Sequence, residues 1–157
     1  MIEKNNPGSV TELVTDYDNK FKLMFICFGS CIEGWKHVAP VIAVDGTTLK
    51  SKYRGILFSA VCKDGWGHIF PLAIGIGDSE NDIAWEWFLT KLKGVVGERE
   101  GLYIVSDRHN SIKRGMRKVF PTVEHGYCVQ HVKASLKINL EGCHLKTYLI
   151  ATHERID

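Results

Sequence analysis

An unbroken apolar run that stops at an acid and a glycine, Val41-Ile42-Ala43-Val44-Asp45-Gly46-Thr47-Thr48-Leu49-Lys50, constrains this chain more than any other stretch. Such a run suits a strand covered on both faces, although periodicity alone does not separate it from a buried helical segment. Pro40 and Gly46 on its flanks favour the strand. A carboxylate at the carboxyl end of a central strand stands where open α/β sheets place their sites, at the rim. A second stretch has the same form: Leu102-Tyr103-Ile104-Val105-Ser106-Asp107-Arg108 is again a short apolar strand that ends in an acid. If the two strands are neighbours, Asp45 and Asp107 face each other.

At 157 residues the chain makes one domain of ordinary size, able to bury roughly two-thirds of its unfolded surface. Its 45% apolar and 24% charged residues are globular values, so disorder is expected only at the termini. A formal charge of +2 is too small to indicate a nucleic-acid partner, and any such argument must come from local clustering. Five cysteines without a charged-then-apolar leader favour free thiols, a reducing compartment and the cytosol or nucleus. No apolar stretch approaches the roughly 20 residues of a spanning helix, so no membrane partner is expected.

Along the chain, Asn5-Asn6-Pro7-Gly8 reads as a turn in a polar lead-in, and Val10 to Thr15 as a short strand. Phe21 to Phe28 is strand or helix, and Cys31 to Trp35 has helix-like spacing. After the Asp45 strand come a polar turn at Lys50 to Arg54 and two apolar runs, Gly55 to Cys62 and Ile69 to Ile76. The Asp64-Gly65 between them is a hairpin signal. Ser79 is the expected cap of a helix over Asn81 to Val96, buried through Ala84, Phe88, Leu92 and Val95 and widened by Trp85, Leu89 and Val96. A helix from Asn110 to Val119, a short strand near Val123 to Tyr127 and a last helix with Val129, Val132, Leu136 and Leu140 inward complete the pattern. Three antiparallel strands followed by helix, strand, helix, strand, helix is the ribonuclease H order. The expected fold is therefore α/β and ribonuclease H-like, a mixed sheet with antiparallel first three strands and flanking helices. Right-handed crossovers then set the fourth strand beside the first.

Two carboxylates on adjacent strand ends make a hard, all-oxygen site suited to Mg²⁺ or Mn²⁺. Paired ions about 3.5 to 4 Å apart activate a water and stabilise a leaving oxygen during in-line attack on phosphate. The plain alternative is that Asp45 and Asp107 are solvated strand-end residues beside turns.

Asp45-Gly46-Thr47-Thr48-Leu49-Lys50, Tyr53 with Gly55, Pro71-Leu72-Ala73, Glu80 with Trp85, Trp87 and Phe88, Ser106-Asp107-Arg108, and Cys128 with His131 follow one another in the order and spacing of a known family. From about Phe21 to Asn139 the chain resembles Mutator-like element (MULE) transposases. The resemblance implies a ribonuclease H-like DDE domain that cuts and joins DNA ends with Mg²⁺ or Mn²⁺, Asp45 and Asp107 as the first two catalytic and metal-binding acids, transposon-end DNA as partner, and the nucleus as its place. It also implies the remaining transposase domains, or a second copy, as protein partners, and it allows a non-catalytic nuclear DNA-binding regulator or an inert remnant instead. On this reading residues 1–40 lead in, 41–142 form the core, incomplete on its carboxyl-terminal side, and 143–157 are a tail. The family's third acid, a glutamate, comes well beyond the Cys-x-x-His motif. Glu141 and Glu154 come too early to supply it, so a fragment or shortened product with impaired chemistry is expected.

Cys128 and His131, with His125 three residues before and Cys143-His144 after, have ligand spacing, but a structural or target-positioning role is favoured over zinc. Lys113 with Arg117 and Arg114 with Lys118 are i, i+4 neighbours, and Lys133 with Lys137 repeats the pattern on the next helix. These six are the candidate DNA-phosphate track; an ordinary solvated basic face is the alternative. Trp85, Trp87 and Phe88 read as core, and Cys27 and Cys31 as packing residues.

Overall fold

The computed structural model describes residues 2–50 and 54–128. A short helix α1 (Ile2–Asn5) leads into strands β1 (Val10–Thr15) and β2 (Phe21–Cys27), then helix α2 (Gly29–Trp35) and strand β3 (Val41–Thr48). Strands β4 (Ile56–Lys63) and β5 (Ile69–Gly77), helix α3 (Asp82–Val96), strand β6 (Tyr103–Ser106), helix α4 (Asn110–Val119) and strand β7 (Glu124–Tyr127) follow. The strands form one mixed sheet in the order β1-β2-β5-β4-β3-β6-β7. The fold is therefore mixed α/β. The expected final helix, and with it His131, Lys133 and Lys137, lies outside the described residues, as does most of the turn after Lys50.

The meander is present: β3 pairs β4 and β4 pairs β5, both antiparallel. It does not hold the first three strands of the chain, as expected, but strands three to five. β1 and β2 precede it and attach to its far side, β2 running antiparallel to β5 from Leu23↔Gly77 to Ile26↔Ile74. The reason lies in β2 itself, where Leu23, Phe25 and Cys27 alternate inward and continue the buried face of β5. Cys27 is thus a packing residue, as expected, and burial pushes its thiol up to about 12.

One face of the sheet is roofed by α3. Phe58 of β4 packs against Trp85 at 4.8 Å between centroids and against Phe88 at 5.4 Å, and Phe25 of β2 meets Phe88 at 5.8 Å. All four rings are fully buried, and offset or edge-on aromatic pairs add about 0.5–1.5 kcal/mol each beyond their area. Gly75 of β5 makes this closeness possible, because a Cβ there would meet Phe88 Cδ2 at 2.7 Å. α4 packs beside α3 and buries Ile112 and Met116, with Val119 against the core.

Two local expectations change. Asn81, not Ser79, caps α3: its side chain accepts from the Ala84 N–H at 2.9 Å, while Ser79 donates to Asp78. The β4–β5 turn is longer than a two-residue Asp-Gly hairpin. Asp64 Oδ1 accepts from the backbone N–H of Trp66 and of His68, and the left-handed position falls on Gly67, φ +83. At the outer edge, Glu3 of α1 accepts from the Thr11 backbone N–H at 3.2 Å and its hydroxyl at 2.7 Å. Among the described residues no helix is long and apolar enough to cross a membrane.

Candidate active site

β3 and β6 are hydrogen-bonded neighbours and run parallel, with Val41↔Tyr103, Ile42↔Ile104 and Ala43↔Val105 in register. Two residues further along each chain stand Asp45 and Asp107, so the register sets them level. Alternation also sets them on one face. Val44 and Gly46 face α3, since a Cβ on Gly46 would meet the Trp85 ring and Glu80 Oε1, each at 2.9 Å. Asp45 therefore projects to the opposite face, together with Ser59 of β4, its cross-strand partner. Asp107, in phase with Val105 and one residue past β6, projects the same way. The covering expected on both faces of β3 is seen on one: Ile42 and Val44 are buried, while Val41, Ala43 and Asp45 are half-buried among the described residues.

The two carboxylates differ in their surroundings. Asp45 takes no side-chain hydrogen bond or ion pair from the described residues, and only its carbonyl is contacted, by the Ser59 hydroxyl at 3.5 Å. Asp107 Oδ1 accepts the His109 backbone N–H at 2.9 Å, an Asx turn that ties the acid to the start of α4 and leaves Oδ2 free of described partners. Half-buried carboxylate oxygens without protein donors suit a hard divalent cation that keeps several waters. Among the described residues no three histidine, cysteine, aspartate or glutamate side chains converge as a metal-holding group.

Behind the pair lies a set of contacts whose roles the sequence did not signal. Glu80 Oε1 accepts from Trp85 Nε1 at 3.1 Å and stands 3.8 Å from His109 Nδ1, a solvent-shielded nitrogen without a hydrogen-bond partner among the described residues. Ser106, 1% exposed, contacts His125 Nε2 at 2.8 Å. Burial, with a smaller contribution from the Lys113 charge, pulls the His125 ring down to about 4.

His125 and Cys128 do not form half of a shared site. Three positions apart on an extended chain, they lie on opposite faces, and the Cys128 N–H continues the ladder to Ser106 O at 2.7 Å. His131 lies outside the described residues. Of the basic residues on α4, Arg114 and Lys118 turn to α3: Arg114 pairs with Asp82 and Lys118 with Glu86, at 2.6 and 2.7 Å. Lys113 and Arg117 have no ion pair with a described residue.

The profile of the MULE transposase domain family matches residues 41–135, from the start of β3 to beyond β7 and across both acids. The chain belongs to the MULE transposase domain family. It is similar to Protein FAR1-RELATED SEQUENCE 4 of Arabidopsis thaliana, 24% identical over 144 residues that cover 89% of this chain and 19% of that protein. The chain thus spans about a fifth of that relative's length. Within the MULE match lie the meander, α3, the β3–β6 pairing and α4, every element that positions Asp45 and Asp107.

Proposed function

We propose that this MULE domain is a ribonuclease H-like DDE core that acts on DNA phosphodiesters, with Asp45 and Asp107 as its first two metal-binding acids. The observation that carries the reading is the parallel β3–β6 register, which levels the two acids on one face of the sheet. A Mg²⁺ or Mn²⁺ ion there would supply Lewis acidity to a phosphoryl oxygen and a leaving 3′ oxygen. The chain's own residues hold and aim it: Asp45 and Asp107 offer oxygens, the His109 N–H fixes the Asp107 rotamer, and Lys113 and Arg117 steady the phosphate backbone. With two acids converging among the described residues, binding of the ion is weak and cleavage needs a further donor. DNA as substrate makes the nucleus the working place, and other transposase domains or a second copy the protein partners.

The test is plasmid nicking with Mg²⁺ and with Mn²⁺, beside an isothermal titration of each ion. Weak ion binding lost in Asp45→Ala and in Asp107→Ala supports the site. No binding by the intact chain overturns it. Robust nicking that survives both substitutions overturns the assignment of the acids.

A second reading, a non-catalytic DNA-binding descendant, is favoured by one observation: Lys113 and Arg117 stay free while no three donors converge among the described residues. It predicts salt-dependent DNA binding unchanged by EDTA. Zinc at Cys128 and His131 has no support from His125, which on the extended chain lies on the face opposite Cys128.

A further inference from the structure

We infer that His125 and Ser106 are positioning residues for Asp107, forming a two-member bridge from β7 that fixes the peptide carrying the acid. The inference rests on the reading of Asp107 as one of the paired acids. β6 ends at Ser106, and its pairing with β3 ends two residues before Asp107, at Ala43↔Val105. On the β7 side the last rung is the Cys128 N–H to Ser106 O, so the Asp107 carbonyl lies past the ladder that holds the rest of the strand. Side chains take over there. The Ser106 hydroxyl donates to the Asp107 carbonyl at 2.7 Å, and the His109 N–H donates to Asp107 Oδ1 at 2.9 Å, so the acid is tied at both its main chain and its side chain.

A serine hydroxyl has one proton. With that proton on the Asp107 carbonyl, the Ser106 oxygen can only accept from His125 Nε2 across 2.8 Å, which requires the Nε2–H form of the ring. Burial disfavours the charged imidazolium, so the ring stays a neutral single-tautomer donor near neutral pH. His125 sits on β7, opposite Ile104 in the ladder, and the Cys128 N–H bond to Ser106 O seals the same corner at 2.7 Å. Ser106 and His125 occupy the α-helical side of the sheet, and the acid projects from the other. The bridge thus supports Asp107 from behind and leaves its carboxylate clear.

Nitrogen-15 NMR of the full chain tests this. The wild-type ring is expected to show the Nε2–H tautomer and to stay neutral from pH 8 to about 5. His125→Ala is expected to speed amide exchange at His109 and Cys128 about fivefold or more, the loss of one net hydrogen bond, while α3 amides keep their protection. His125→Gln, whose amide can donate to the Ser106 oxygen, is expected to restore both, and Ser106→Ala to resemble His125→Ala. In the same samples Mn²⁺ broadening at the Asp45 and Asp107 amides reads the ion: about tenfold weaker in His125→Ala and recovered in His125→Gln, a change of about 1.4 kcal/mol. An Nδ1–H tautomer, or His125→Ala and His125→Gln alike in His109 exchange, overturns the inference. Wild-type exchange and tautomer as expected, but without Mn²⁺ broadening at either acid, leave the bridge standing and overturn the metal reading instead.

Discussion

Asp82, in the first turn of α3, holds Arg114 of α4 through both carboxylate oxygens, Nε to Oδ2 at 2.6 Å and Nη2 to Oδ1 at 2.7 Å. Ser111 adds a hydroxyl donor to the same acid, and the Arg114 guanidinium is the main cause that keeps the Asp82 carboxyl below its ordinary value. A forked pair of this kind fixes geometry as well as charge. Half of the basic face on α4 is therefore turned to its neighbouring helix.

Charge changes on α4 should then divide into two kinds. Lys113→Ala and Arg117→Ala should each lower the slope of log affinity against log salt for duplex DNA by about one while leaving the melting temperature unchanged. Arg114→Glu should lower the melting temperature and leave that slope at its wild-type value. Filter binding across a salt series, beside thermal melts, reads both.

Gly46 follows Asp45 and lies beneath Trp85. Its missing Cβ would stand 2.9 Å from Glu80 Oε1 and 2.9 Å from the Trp85 ring, which is fully buried against Phe58 and cannot retreat. Gly46→Ala should destabilise the fold by about 1–3 kcal/mol, as overpacking does. A urea midpoint equal to wild type would mean that the ring moves.

His125 sets an acid limb of stability. Its ring lies near 4 in the fold against an ordinary 6.5, so the unfolded chain takes the proton first. Stability is then full above about pH 6.5 and falls between about 6.5 and 4, by about 2 kcal/mol once solvent screening of a partly exposed ring is allowed for. His125→Gln should flatten this limb in denaturant titrations across that window, because the replacement does not titrate.

Ion binding should appear as heat resistance. At a hundredfold excess over its dissociation constant a ligand adds about 2.7 kcal/mol to a fold that alone binds it. Mn²⁺ should raise the wild-type melting temperature, EDTA should abolish the rise, and Asp45→Asn should show neither effect.

Much of this arrangement was legible in the residues. The 3.6-residue period gave α4 its observed bounds, and the buried face of α3 was anticipated apart from Val95, which is partly covered. That the strands of Asp45 and Asp107 are neighbours followed from two apolar runs and the handedness of crossovers, but β3 runs on to Thr48, so Asp45 lies within its strand and not at the expected end. What stayed hidden depends on partners distant in the sequence. Nothing in Phe21–Cys27 says that its neighbour is β5 and not β3. Arg114 and Lys118 point away from the apolar stripe of their own helix, and only the nearness of Asp82 and Glu86 changes their meaning. His125 and Cys128 have a spacing that joins side chains on a helix, which left zinc as the less favoured reading; on an extended strand the same spacing separates them.

Glu3 occupies the outer row of the sheet, taking the Thr11 N–H and hydroxyl that a seventh-plus-one strand would otherwise claim. Edges left open invite intermolecular pairing and aggregation. Here a neighbour seeking to zip onto β1 at that point must first evict a carboxylate from the chain's own opening helix, so the polypeptide carries its own stopper against end-on growth.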